Sequence, residues 1–272
     1  MALAPALFDD QFTFVPDTTA FNWHNAYACA MASSLAYAKP DDIAIQAKKW
    51  GAQSQFISGN GTQAFVMSTD TLVLVAFRGT ETDQIEDVIT DLNLELVPGP
   101  WGGGVHEGFH DAVQQVWKKI EMTIARFRQN REKSLWFTGH SLGAGLATLG
   151  VARFLEEDRA VDGLYTFGQP RTGDRRFARE FDHEFKSCTF RFVNNNDIVT
   201  RIPPRSLGYR HVGTFRYFDE PGNYHEDISR WNRFLDRMRG RIEDILEWGT
   251  DGVKDHSMTE YLPRVKQQVP RA

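Results

Sequence analysis

The stretch Leu135-Trp136-Phe137-Thr138-Gly139-His140-Ser141-Leu142-Gly143-Ala144-Gly145-Leu146-Ala147 decides the fold. Its apolar head reads as a short buried strand. The small and apolar residues after Ser141 recur at helical spacing through Leu155 and read as a helix. The join between them is Gly139-x-Ser141-x-Gly143. A strand that turns this sharply into a helix holds the residue at the turn in strained backbone, with its side chain standing clear. The residues two before and two after come too close to their neighbours for a side chain, so both are glycine. Ala144, Gly145 and Ala147 continue the small face and let the helix lie close on the sheet. Free N–H groups at the head of that helix point at any anion that forms beside the Ser141 hydroxyl. The pattern is a nucleophile elbow, with Ser141 as candidate nucleophile.

Outward from the elbow, strands and helices alternate. Residues 163–167, 189–193 and 212–218 read as strands and 174–185 as a helix. Upstream, Asn22 to Ala38 is Ala-rich and reads as a helix, followed by a second from Asp41 to Trp50. Gln55 to Ser58, Ala64 to Ser68 and Thr71 to Phe77 read as strands, the last an apolar run fit for a sheet centre. Residues 1–20 read as an irregular arm. This order predicts an α/β fold with a mostly parallel central sheet and helices on both faces. At 272 residues, with no internal repeat or linker, one domain spanning 1–272 is expected.

Composition excludes several classes. A net charge of −5 gives no overall basic footprint for nucleic acid. No apolar run approaches the ~18 residues of a membrane span. Cys29 and Cys188 permit one disulfide at most and no metal cluster, so neither metal nor cofactor is expected. The opening Met1 to Asp10 lacks a basic head and a long apolar core. The compartment stays open, either within the cell or outside it after removal of a leader that precedes this numbering.

An activated serine needs a base and an acid. Asp197 follows the 189–193 strand through Asn194-Asn195-Asn196, and the end of a strand is where α/β sites are built. Most other aspartates read as helix starts or surface. In this order of residues the base follows the acid along the chain, which leaves His211, His225 and His256. His140 is too near Ser141 in sequence to reach it productively. His211 lies in the predicted 212–218 strand region, His225 just before a predicted helix, and His256 on a late loop, so His256 is favoured.

Two amphipathic stretches flank these residues. Ile85, Val88, Ile89 and Leu92 share one helical face within residues 81–96, opposite Glu86, Asp87 and Asp91. Periodicity alone fits a surface helix on the core and a movable lid over an apolar cleft equally well. Residues 227–248 carry a second stripe, Ile228 to Trp248, with arginines on the polar side. It fits a helix docked on the core better than one lying on lipid.

Assembled, these residues resemble the class 3 lipase family, the fungal-type triacylglycerol lipases of the α/β-hydrolase fold. The resemblance is carried by Val75-Ala76-Phe77-Arg78-Gly79-Thr80, Val105-His106-Glu107-Gly108-Phe109, the elbow, and Thr166-Phe167-Gly168-Gln169-Pro170-Arg171-Thr172-Gly173. It continues through Asn195-Asn196-Asp197-Ile198-Val199 with Pro203-Pro204, then Tyr209-Arg210-His211-Val212-Gly213 and Asp255-His256. It implies Ser141 as nucleophile, Asp197 as acid and His256 as base, with Thr80 and Leu142 as oxyanion donors. It also implies a lid at 81–96, and Val199 and Ile202 as substrate-lining residues beside Ile85, Val88, Ile89 and Leu92. The expected activity is ester hydrolysis at an oil–water interface, with transient lipid-surface contact and neither a nucleic-acid partner nor a transmembrane segment. A phospholipase A1 or feruloyl-type esterase on the same scaffold is the alternative, and a non-catalytic lipid-binding relative a remote one. The chain departs from secreted fungal members in lacking their cysteine framework, and the 227–248 helix is an added or enlarged element.

Overall fold

The computed structural model describes residues 8–80, 85, 94–129, 132–226 and 249–270. Helices α1 (Trp23–Leu35) and α2 (Pro40–Lys49) precede three strands, β1 (Gln53–Gly59), β2 (Thr62–Ser68) and β3 (Leu72–Phe77). A short ribbon, β4 (Leu96–Pro98) and β5 (Gly104–His106), leads into α3 (Glu107–Arg128). Next come β6 (Ser134–His140), α4 (Leu142–Glu156), β7 (Gly163–Phe167), α5 (Arg175–Phe185) and β8 (Thr189–Asn194). The chain then runs through β9 (Thr214–Phe218) and β10 (Tyr224–His225), and later α6 (Gly249–Asp255) and α7 (Met258–Gln268).

Eight strands form one sheet in the order β1-β2-β3-β6-β7-β8-β9-β10. From β3 to β9 neighbours run parallel, while β1, β2 and β10 pair antiparallel at the two edges. Every residue of β3 is buried, as its unbroken apolar run requires of a strand covered on both faces. Side chains alternate between the faces. Val75, Phe77, Phe137 and Leu164 enter one core with Phe109, Trp117 and Phe154. Leu74, Ala76, Trp136 and Tyr165 enter the other with Met31 and Tyr261. Helices α3 and α4 cover the first face, and α1 and α7 the second. The alanines of α1 let its backbone lie close to the sheet.

The fold is the expected α/β-hydrolase architecture. Helix α3, the longest described helix, is absent from the sequence reading above although its Phe109, Val113, Val116, Trp117 and Ile120 are buried along one side. Strand β9 starts at Thr214, so His211 sits in the preceding loop. The arm packs as well: Phe8 stacks on Trp50 and Phe14 meets Trp136 edge-on, while Lys266 reaches Asp10 at 2.8 Å. Of the expected lid, Ile85 and Leu94 to Leu96 are described, and Leu96 is already strand; Val88, Ile89 and Leu92 lie outside the described residues, as does the 227–248 helix. No described helix is long and apolar enough to cross a membrane.

Candidate active site

Ser141 stands at the join of β6 and α4 with φ 58° and ψ −132°, a conformation an L-residue adopts only under strain. Its N–H donates to the Phe167 carbonyl at 3.0 Å, which ties the turn to the end of β7. Both elbow glycines are required by space: a Cβ at Gly139 would lie 2.8 Å from the Ala144 nitrogen, and one at Gly143 2.9 Å from the Arg78 carbonyl carbon. The loop after β3 also presses on the serine, since a Cβ at Gly79 would lie 3.0 Å from that of Ser141. Thr80 follows Gly79 in that loop, and Leu142 follows Ser141 at the head of α4, so one expected donor neighbours the serine along the chain and the other stands next to a residue that meets it in space.

Asp197 lies just past β8 and is 1% exposed. A buried carboxylate is stable only when its oxygens are satisfied. His256 Nδ1 lies 2.9 Å from each oxygen, the Val199 N–H donates to Oδ1 at 3.0 Å, and the Tyr261 hydroxyl donates to Oδ2 at 2.5 Å. The carboxylate fixes the imidazole tautomer, because Nδ1 must carry the hydrogen to donate. Nε2 is left with a lone pair, buried and without a hydrogen-bond partner among the described residues. His256 itself is fully buried. Gly168, one residue after the carbonyl that holds Ser141, packs against both Asp197 and His256. The three residues are thereby brought to one end of the sheet from positions far apart along the chain.

Several supporting residues escaped the sequence reading. Tyr261 accepts the Asn194 N–H at 2.9 Å while donating to Asp197, and burial together with the carboxylate holds its hydroxyl well above the ordinary phenol range. Asp255 joins the acid and base loops: its Oδ2 accepts from Asn195 Nδ2 at 2.9 Å and from the Asn196 N–H at 3.1 Å. His140 donates from Nε2 to the His256 carbonyl at 2.5 Å, and its Nδ1 accepts from the Tyr37 hydroxyl at 2.7 Å. Burial first, and His256 second, push His140 well below the usual imidazole range, so it stays neutral. Nothing local in the sequence marks these links, which span 59 to 116 residues of chain.

The rival histidines have other partners. His225 Nε2 pairs with Asp219 at 2.8 Å on the β9–β10 hairpin. His211 Nε2 donates to the Thr200 carbonyl at 2.8 Å and braces the loop after Asp197. Ile85, 2% exposed, packs with Ile198, Val199 and Ile202 and with Val253 of α6. Of the expected substrate-lining set, Ile85, Val199 and Ile202 therefore share one apolar cluster beside the acid. No group of His, Cys, Asp or Glu among the described residues could hold a metal ion.

The parallel sheet, the strained serine and the buried carboxylate–imidazole couple define an α/β-hydrolase. Within that class, residues 74–207 match the family model of the class 3 lipases. A secreted mono- and diacylglycerol lipase of Malassezia restricta is 32% identical over 165 residues, 56% of this chain and 54% of that protein. The Rhizomucor miehei lipase is 33% identical over 161 residues, 56% of this chain and 44% of its own. The chain spans about half the length of these relatives. In structure, the triacylglyceride lipase of Rhizomucor miehei superposes with a TM-score of 0.64 at 26% identity, covering 73% of this chain and 80% of that one. A triacylglycerol lipase described as having a serine-protease triad superposes at 0.59 with 27% identity, covering 66% and 71%.

Proposed function

We propose that this protein is a serine ester hydrolase acting on acylglycerols, with Ser141, Asp197 and His256 as its triad. The observation that carries the reading is the His256 imidazole held through Nδ1 by a buried Asp197, with the elbow serine at the same end of the sheet, past β6. His256 Nε2 takes the Ser141 proton as the hydroxyl attacks the ester carbonyl. It returns that proton to the leaving alcohol. Water, deprotonated by the same nitrogen, then cleaves the acyl-enzyme, releasing the acid and restoring Ser141. Asp197 stabilises the imidazolium that forms in each half. The N–H groups of Thr80 and Leu142 receive the oxyanion; losing one such donor typically costs about 3 kcal/mol. Nε2 has no hydrogen-bond partner among the described residues, as for a catalytic hydrogen bond that tightens only with substrate in place.

The apolar cluster of Ile85, Val199 and Ile202 favours aliphatic acyl chains. Names of the relatives support acylglycerols as the substrate class and export as the setting. The 81–96 segment acts as a lid whose apolar face moves from the cleft to lipid. Each aliphatic side chain transferred is worth about 1.5–3 kcal/mol, enough in sum to bias two states. The test is a panel of tributyrin, long-chain triglyceride, monoacylglycerol, phosphatidylcholine and methyl ferulate, with organophosphate labelling at Ser141. Glycerides are expected to turn over, with a rise in rate once droplets form. Labelling at another residue, or turnover retained in Ser141→Ala, refutes the assignment.

A further inference from the structure

Two segments beside the site, residues 167–179 and 199–213, hold seven arginines and a single carboxylate, Asp174, in a chain of net charge −5. The backbone laces them together. The Arg171 N–H donates to the Ile202 carbonyl at 2.7 Å and the Arg210 N–H to that of Gly173 at 2.8 Å. Asp174 is occupied locally, its oxygens taking the Gly104 and Phe177 N–H groups at 2.9 and 2.8 Å.

Among the described residues no carboxylate pairs with Arg171, Arg175, Arg205 or Arg210. Arg171 is buried, bonded to the carbonyls of Arg201 and Pro203, and its Nε has no partner. Arg210 likewise meets only carbonyls, those of Arg205 and Tyr209, at 3.0 and 2.7 Å. Burial, and then the guanidiniums of Arg191, Arg205, Arg210 and Arg201, pull Arg171 down to about 9. Carbonyl dipoles satisfy the hydrogen bonds but leave the net charge uncancelled, so the field reaches the surface. Arg175 and Arg205 are exposed there, and between Arg205 and Arg210 stands Leu207, 45% exposed.

We propose that Arg175, Arg205 and Arg210, with Leu207 among them, form a docking surface for an anionic lipid bilayer. The charge complements acidic headgroups, and an exposed leucine amid arginines suits the boundary between headgroup and acyl chain. The surface is continuous with the site. Ile202 of the apolar cluster lies three residues before Arg205, and the Tyr209 hydroxyl donates to the Leu94 and Glu95 carbonyls at the end of the expected lid. An acidic lipid surface bound here would lie against the mouth of the cleft. The inference deepens the lipase reading by naming the charge of the surface on which it works.

The experiment measures sedimentation of the 272-residue Ser141→Ala protein with phosphatidylcholine vesicles, with and without phosphatidylglycerol. Binding is expected to require phosphatidylglycerol and to vanish near 1 M salt, where the Debye length is about 3 Å. Arg205→Gln/Arg210→Gln is expected to weaken it roughly 25-fold, about fivefold for each charge removed. Leu207→Ser lowers binding while keeping its salt dependence. Equal binding to both vesicles, or an unchanged double variant, overturns the proposal. So does release by millimolar inorganic phosphate, which marks a small-anion site, or tighter binding to an oligonucleotide. Turnover of a soluble short-chain ester by the double variant in the Ser141 background is expected to be unchanged. Loss of all soluble-ester turnover in the unaltered protein would refute the hydrolase reading and leave the vesicle result standing.

Discussion

Gly168→Ala is the most direct probe of the couple between Asp197 and His256. Gly168 has φ +59°, and a Cβ there would lie 2.7 Å from His256 Cε1, 2.8 Å from Asp197 Oδ2 and 2.8 Å from His256 Nδ1. Carbon packs comfortably at about 3.5–4.0 Å, so the new methyl intrudes on three atoms at once. Neither ring nor carboxylate can retreat into space, because both are buried on every side. The intrusion is relieved by shifting the imidazole or the 167–169 turn, and a shift of about 1 Å in a reacting group costs roughly 100-fold in rate. The positive φ adds about 1–2 kcal/mol of backbone strain. Gly51→Ala separates the two effects, since Gly51 has φ +74° and nothing within 4 Å of its Cβ position. Both variants should lose a few degrees of Tm, at about 2–4 °C per kcal/mol. Initial rates on a soluble p-nitrophenyl ester, scaled to folded protein, should fall roughly 100-fold for Gly168→Ala and stay level for Gly51→Ala. Full turnover in folded Gly168→Ala would mean that the 2.9 Å contacts between His256 and Asp197 take no part in the chemistry.

Tyr261→Phe removes a donor to Asp197 and orphans the buried Asn194 N–H, so thermal unfolding should show a loss of about 2–4 kcal/mol. Asp255→Ala frees Asn195 and the Asn196 N–H; kcat should fall about tenfold with KM little changed, and Asp255→Asn, which keeps an acceptor oxygen, should restore most of it. His140 and His211 are both held well below the usual imidazole range, chiefly by burial. Below about pH 6.5 the unfolded chain binds protons that the folded one refuses, so their contribution is complete above that pH and is lost as pH falls. Tm measured between pH 7.5 and 5 should drop on the acid side, and a flat profile would contradict neutral burial. His225→Ala should leave turnover intact, as its partner is Asp219.

What the sequence disclosed follows from how local each cause is. The elbow is legible because the two glycines that its turn requires fall within two residues of Ser141. Asp197 and His256 are legible as candidates because strand ends and chain order narrow the choice. Helix α3 is harder to read: polar and apolar residues mix in its first turn, and Gly108 and His110 blur the stripe that its buried face forms. Sequence alone starts β9 two residues early, because Val212 is apolar and buried yet lies before the strand. Asp255 belongs to a stretch that carries the resemblance, yet its links to Asn195 and Asn196, like those of Tyr37 and Tyr261, exist only once the sheet brings distant loops together.

His140 shows the same limit from the other side. Adjacency to Ser141 rules it out as the base, and that inference treats nearness along the chain as irrelevance to the site. The fold gives it a different task. It bonds the carbonyl of His256, and its ring lies 4.5 Å from that imidazole. A cation at that distance would oppose the imidazolium that the proposed mechanism forms at His256. Burial removes the conflict by keeping His140 neutral, and the Tyr37 hydroxyl completes its hydrogen bonding, so no proton is needed at Nδ1. The proposed base is thus held from two directions, by Asp197 on its ring and by a neutral His140 on its backbone. Only the first of these adds charge where positive charge has to form.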